Sequence, residues 1–78
     1  MRIEVHLYAT LRRYAPSAAD GVLAVDLPEG CKAADAIAGT GVDAGEVHVL
    51  MINGVSGTPD QPLAQNDRLA LFPQIGGG

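Results

Sequence analysis

Polar and apolar residues alternate from Arg2 to Tyr8, with Ile3, Val5 and Leu7 on one side and Arg2, Glu4, His6 and Tyr8 on the other. A period of two predicts a strand with one buried face. Ala9 to Tyr14 tolerates helix and stops short of Pro16, so it predicts a helical turn, followed by a loop through Asp20-Gly21. Val22 to Leu27 predicts a second strand with Leu23, Val25 and Leu27 on one face, ended by Pro28-Glu29-Gly30 and close enough to the first to form a hairpin with it.

From Lys32 to Ala38 the chain is alanine-rich, which predicts a helix whose stripe of Ala33, Ala34, Ile37 and Ala38 faces the sheet and which ends at Gly39-Thr40-Gly41. Val47 to Ile52 is apolar and β-branched and stops at Asn53-Gly54, a pair suited to the positive backbone angles of a tight turn; a central strand is expected. Val55 to Asp67 holds Gly57, Pro59, Pro62 and Asn66-Asp67, so it predicts loop, with an edge strand at Val55-Ser56 and a helical turn near Leu63. Arg68 to Phe72 alternates again, Leu69 and Leu71 inward, Arg68, Ala70 and Phe72 outward, until Pro73 interrupts the ladder. Strand, strand, helix, strand, loop, strand is an α+β layout: a mixed sheet with one principal helix on one face, which matches a β-grasp. The expected domain spans residues 1–73, with 74–78 as a tail.

Composition narrows the picture. The 78 residues suffice for one core, and with 47% apolar residues but only Tyr8, Tyr14 and Phe72 as aromatics, that core must be aliphatic. The net charge of −4, with five basic residues, excludes a phosphate-binding surface and nucleic acid as a partner. A lone Cys31 excludes an internal disulfide or a thiolate metal cage, no apolar run is long enough to span a bilayer, and the N-terminus enters directly on a strand pattern, not on a signal peptide; a cytoplasmic protein is expected.

Gly76-Gly77-Gly78 cannot strengthen a fold, because glycine has the most backbone freedom to lose and no side chain to bury. Without Cβ atoms, however, such a segment can thread a narrow channel. Six extended residues from Pro73 onward reach roughly 20 Å, enough to put Gly78 in another protein's active site while the body docks outside.

Two stretches carry a resemblance. Leu7-Tyr8-Ala9-Thr10-Leu11-Arg12 is similar to the aromatic-Ala-x-Leu-Arg opening of the molybdopterin branch of the MoaD/ThiS sulfur carriers, and Leu69-Ala70-Leu71-Phe72-Pro73 followed by terminal glycines is similar to their ending. Asn53-Gly54 and Asn66-Asp67 fall where that family has an Asn-Gly and a Gly-Asp turn. The chain departs from it at Gln74, Ile75 and Gly76, where the molybdopterin branch usually has Pro-Val-Ala/Ser, and at Asn66, where glycine is usual. The resemblance implies a protein that is no enzyme and binds no cofactor. A ubiquitin-activating-type adenylating enzyme uses ATP to adenylate Gly78, a sulfur donor converts it to a thiocarboxylate, and Gly77 and Gly76 present it. A synthase then accepts the sulfur; the large subunit of molybdopterin synthase is the implied acceptor. A thiamine-thiazole carrier and a modifier conjugated to lysines through Gly78 are the alternatives.

By alternation His6, Tyr8, Phe72 and Leu50 point to the sheet face away from the helix and are candidates for partner docking, although Tyr8 and Phe72 serve equally well as cover for the sheet edge. Cys31 at a helix start is either a near-cap packing residue or a sulfur acceptor. His6 and His48 on neighbouring strands lack a third ligand, so no metal site is assigned; Asp60, Asp67 and Glu29 sit among turn residues and form no nucleophile and base pair recognisable from spacing, so no catalytic residue is assigned.

Overall fold

The alternation at the N-terminus becomes β1 (Arg2–Leu7), in which Ile3, Val5 and Leu7 are buried and Arg2 and Glu4 exposed. The computed structural model describes residues 1–74; Gly76, Gly77 and Gly78, on which the tail assignment rests, lie outside the described residues together with Ile75. After β1 the helix-tolerant stretch forms a 3₁₀ segment, η1 (Ala9–Tyr14), entered through Ala9 at φ 52° and carrying one buried anchor, Leu11. β2 (Val22–Asp26) returns antiparallel to β1, completing the expected hairpin.

α1 (Ala33–Thr40) begins where the Asp35 carboxylate accepts from the Lys32 amide at 2.9 Å and ends at Gly41, whose φ of 82° is the left-handed conformation that glycine adopts without a Cβ clash. Two expectations change here. Gly39 and Thr40 belong to the helix, and its buried stripe is Ala33, Ala36 and Ile37, whereas Ala34 and Ala38 are exposed. Alanine on every side leaves the stripe's phase open in the sequence; Ile37 settles it by turning into the core. A Cβ on Gly39 would stand 3.2 Å from Val25 Cγ1, so the helix lies close over β2 at that point.

A second 3₁₀ turn, η2 (Ala44–Glu46), occupies the approach to β3 (Val49–Ile52), so Val47 and His48 stand outside the strand, although the His48 amide already bonds the Phe72 carbonyl at 2.8 Å. β4 is the two-residue edge strand Val55–Ser56. No helical turn forms near Leu63: the chain there is extended, with Pro62 bridged to Lys32 and the Leu63 amide bonded to the Cys31 carbonyl. β5 (Arg68–Phe72) has the bounds and the inward Leu69 and Leu71 that its alternation predicts.

The sheet runs β2-β1-β5-β3-β4. β5 is therefore the central strand, parallel to β1 and antiparallel to β3, and β3 lies one place further out. α1 packs on one face, over a core in which Ile3, Val5, Leu7, Leu11, Leu69 and Leu71 are the largest fully buried side chains. Each contributes about 1.5–3 kcal/mol by leaving water. No aromatic ring and no polar side chain is among the buried residues described. Two turns are stitched together at the far end: Asn53 Nδ2 donates to Asp67 Oδ1, Asn53 Oδ1 accepts from the Arg68 amide, and Asp67 Oδ2 accepts from the Ala64 amide, all within 2.8–2.9 Å. This network explains Asn53-Gly54 and Asn66-Asp67, with Asn53, Gly54 and Asn66 all at positive φ. No helix among the described residues is long and apolar enough to cross a membrane.

Gly21 and Gly30 both hold positive φ, but a Cβ at Gly21 would lie 2.7 Å from the Leu7 carbonyl oxygen, whereas one at Gly30 meets nothing within 4 Å. Gly30→Ala should cost about 1–2 kcal/mol of stability, the left-handed penalty alone. Gly21→Ala adds a backbone clash and should cost about 1–3 kcal/mol more. Denaturant unfolding of the two variants measures the gap, and equal losses would contradict the close approach.

Candidate functional site

Parallel pairing of Leu7 with Leu71 sets the next residues, Tyr8 and Phe72, side by side at the end of the central strands. Their rings stack with centroids 4.5 Å apart and planes within 10°, and the Tyr8 amide donates to the Leu71 carbonyl at 3.2 Å. Across β5, Phe72 faces Val49 and Ala70 faces Met51, while on the other side Ala70 faces His6. The result is a shallow groove of about 250 Å³ on the face away from α1, lined by His6, Tyr8, Met51, Arg68, Ala70 and Phe72 with Gly54 at its margin. Tyr8 and Val49 are each 40% exposed, large for apolar bodies on a folded surface. His6 Nε2 lies 2.8 Å from Glu4 Oε1, which gives the apolar patch a polar rim.

Leu50 does not belong to this face. It is 7% exposed and stands opposite Leu71, under the helix. The run Val49-Leu50-Met51-Ile52 is apolar at every position, so alternation carries no phase; the register with β5 sets it and turns Val49 and Met51 outward instead. Those two are the face residues the sequence did not disclose, whereas Ala70 is outward as its alternation predicts.

The chain leaves the sheet through a second notch. Pro73 is buried and Gln74 exposed, and around them Thr10 of η1 and Gly45, Glu46, Val47 and His48 at η2 enclose about 270 Å³. The two walls are tied together: the Glu46 carboxylate accepts from Arg13 Nη2 on one oxygen and from the Tyr14 hydroxyl on the other. Arg13 also donates through Nη1 to the Thr10 carbonyl at 3.1 Å and lies 4.7 Å above the Tyr14 ring. No sequence pattern pointed to this cluster, since Arg13 and Tyr14 are far from Glu46 along the chain. A third groove, of about 290 Å³, runs between α1 and β3 and is lined mainly by Ala34, Ile37, Ala38, Val42, Val47 and Leu50.

Cys31 is half-buried, unpaired, and lies just before the helix cap residue. His6 and His48 are not neighbours, because β5 lies between β1 and the approach to β3, and among the described residues no three of His, Cys, Asp and Glu converge as metal ligands.

No family model matches the chain, and no curated protein does either. Solved structures do. SAMP1 from Haloferax volcanii superposes over 100% of both chains with a TM-score of 0.77 at 23% identity. Small archaeal modifier protein 1 from H. volcanii gives 0.73 at 24% identity, over 95% of this chain and 98% of that one. A putative molybdopterin converting factor subunit 1 from Pyrococcus furiosus gives 0.75 at 21% identity, over 96% and 99%. This chain has the ubiquitin-like β-grasp fold. On this β-grasp the Tyr8–Phe72 face and the notch at Pro73 adjoin, because both are built where β5 ends.

The electrostatics of the β-grasp concentrate at Glu46. The hydrogen bond from Tyr14, then that from Arg13, hold its carboxyl below the usual carboxylate range; the same bond to Glu46 raises the Tyr14 hydroxyl, and Arg13 is raised by its own bond to Glu46. A lowered folded pKa means that the contribution of Glu46 is present above the ordinary carboxylate value of about 4.3 and is lost as pH falls through that range toward its folded value. For Tyr14 the sign reverses: its contribution is present below about pH 10 and is lost as pH rises through the raised value. Glu46→Gln should therefore lower stability at neutral pH and rejoin the parent protein in acid. Thermal unfolding across pH tests this, and a constant offset between the two proteins down to the acid limit would refute the coupling.

Proposed function

We propose that the chain is a sulfur carrier that works through Gly78. The observation that carries this reading is the continuity of β5: it forms the centre of the sheet, places Phe72 on the outer aromatic face, and within two residues delivers the chain at Gln74. A partner that covers Tyr8, Phe72 and Met51 would thereby receive the glycine segment beside the contact. Among similar structures, a molybdopterin converting factor subunit supports the carrier reading.

A carboxylate is a poor electrophile, because its charge repels nucleophiles and oxide is no leaving group. In the proposed cycle a ubiquitin-activating-type enzyme lets the Gly78 carboxylate attack the α-phosphorus of ATP, releasing pyrophosphate and leaving an acyl adenylate. A sulfur donor displaces AMP, and the resulting thiocarboxylate passes its sulfur to a synthase, for which the large subunit of molybdopterin synthase is the proposed acceptor. The protein supplies position and leaves the catalytic groups to its partners, in a cytoplasmic pathway of cofactor synthesis. A modifier attached to lysines through Gly78 is the second reading, favoured by the likeness to small archaeal modifier protein 1. Both share the adenylate and part after it.

Isolation from native cells without reductant distinguishes them. A carrier yields free protein with one terminal oxygen replaced by sulfur, detected by intact mass and by alkylation; conjugates without any thiocarboxylate would overturn the proposal. Deleting Gly77-Gly78 should abolish adenylation yet leave the unfolding temperature nearly unchanged, because the core is closed by residues up to Pro73.

Docking makes a separate demand. Phe72→Ala should weaken binding to the adenylating enzyme by about 2 kcal/mol or more, near thirtyfold, as a central aromatic anchor does. Arg2→Ala, at an exposed pair 4.0 Å from Asp26, should change it by less than about 1 kcal/mol. Equal effects in two folded variants, measured by calorimetry, would remove Phe72 from the interface.

A further inference from the structure

We infer that Arg13, Tyr14 and Glu46 form a positioning clamp that fixes the direction in which the chain leaves the sheet at Pro73-Gln74. The inference deepens the carrier reading and rests on it for its purpose, but its geometry stands alone. The exit notch has one wall from η1 and one from η2, two short 3₁₀ turns that belong to different parts of the sheet's connections. Glu46 on the second wall holds two consecutive side chains of the first, and Arg13 in turn holds the Thr10 carbonyl, which lines the notch. One carboxylate thus spans the opening by two oxygens, a geometry that fixes orientation as well as separation. Pro73 between the walls has its φ locked and no amide N–H, so it donates no hydrogen bond at the exit. The direction of Gln74 is left to the walls.

A purely stabilising role fits the placement poorly. The Arg13 and Glu46 side chains are 52% and 35% exposed and sit outside the aliphatic core, where an ion pair adds little to stability. What the cluster does command is the gap between η1 and η2. In a protein whose last residue must reach a partner's reacting atoms, the exit direction at Gln74 enters the rate of reaction more than the affinity of docking.

The test uses the full chain with Cys31→Ser and nitroxides on Ala24→Cys, exposed on β2, and Gln74→Cys at the exit. Pulsed dipolar spectroscopy should give one narrow distance distribution in this background. Glu46→Ala and Arg13→Ala should broaden and shift it, and the charge-reversed pair Arg13→Glu with Glu46→Arg should narrow it again; should Glu46→Ala fail to fold, Tyr14→Phe, which keeps the ring and loses only the hydroxyl, serves in its place. Unlabelled Glu46→Ala, assayed with its adenylating enzyme, should show kcat reduced about tenfold with KM little changed. A distance distribution unmoved in folded clamp variants would overturn the inference whatever the chemistry. Failure of the parent protein to be adenylated at all would overturn the carrier reading while the distance measurement still judged the clamp.

Discussion

Everything in this molecule hangs on the parallel pairing of β1 with β5. The two strands come from opposite ends of the described chain, Glu4 beside Arg68 and Leu7 beside Leu71, and a parallel pair needs a long crossover to join it. The intervening residues are that crossover: β2 is laid against the free side of β1, α1 covers the face, and β3 returns to the free side of β5. The pair's inward residues, Ile3, Val5, Leu7, Leu69 and Leu71, are the fully or almost fully buried heart of the core. Its outward residues are the aromatic face, so one register decides both stability and the candidate docking surface.

Strong and weak interactions are divided by location. The core is aliphatic and holds no buried polar side chain among the described residues, so burial of area dominates it. The polar networks lie at the two ends of the sheet, where they orient turns. Asn53 and Asp67 register the β3–β4 turn against the approach to β5. At the opposite end Glu46 registers η1 against η2. Their contribution is geometric: each ties together two segments that lie far apart along the chain.

Much of this was legible from period alone. β1 and β5 alternate cleanly, and their inward faces follow from the residues, as do the bounds of β5, because a half-buried strand writes its phase into the sequence; β1 stops one residue short of the alternation, at Leu7. The same reasoning fails where composition is uniform. Val49 to Ile52 is apolar throughout, which hid that Leu50 faces the helix; four of the seven residues from Lys32 to Ala38 are alanine, which hid that Ala34 and Ala38 face outward. Leu63 was expected in a helical turn, but bonding of its amide to the Cys31 carbonyl keeps it extended. The clamp was illegible for a different reason: an ion pair between two loops leaves no local period, and only the fold brings Arg13 and Tyr14 to Glu46. The glycine segment was read from chemistry, not periodicity, and its assignment lies beyond the residues described.

The central place of β5 also has a consequence in time. A chain emerging N-terminus first can form the β1–β2 hairpin and α1, but Ile3, Val5 and Leu7 stay half-uncovered until residues 68–72 arrive to flank them. Closure joins residues far apart in sequence, so it comes late and cooperatively. Synthesis therefore leaves the nascent sheet open until its last strand is made, and a fragment that stops short of Leu69 presents an exposed aliphatic seam of the sort that chaperones and proteases recognise. The body cannot be finished before β5 is made, which makes the folded shape itself a certificate that translation has passed Phe72.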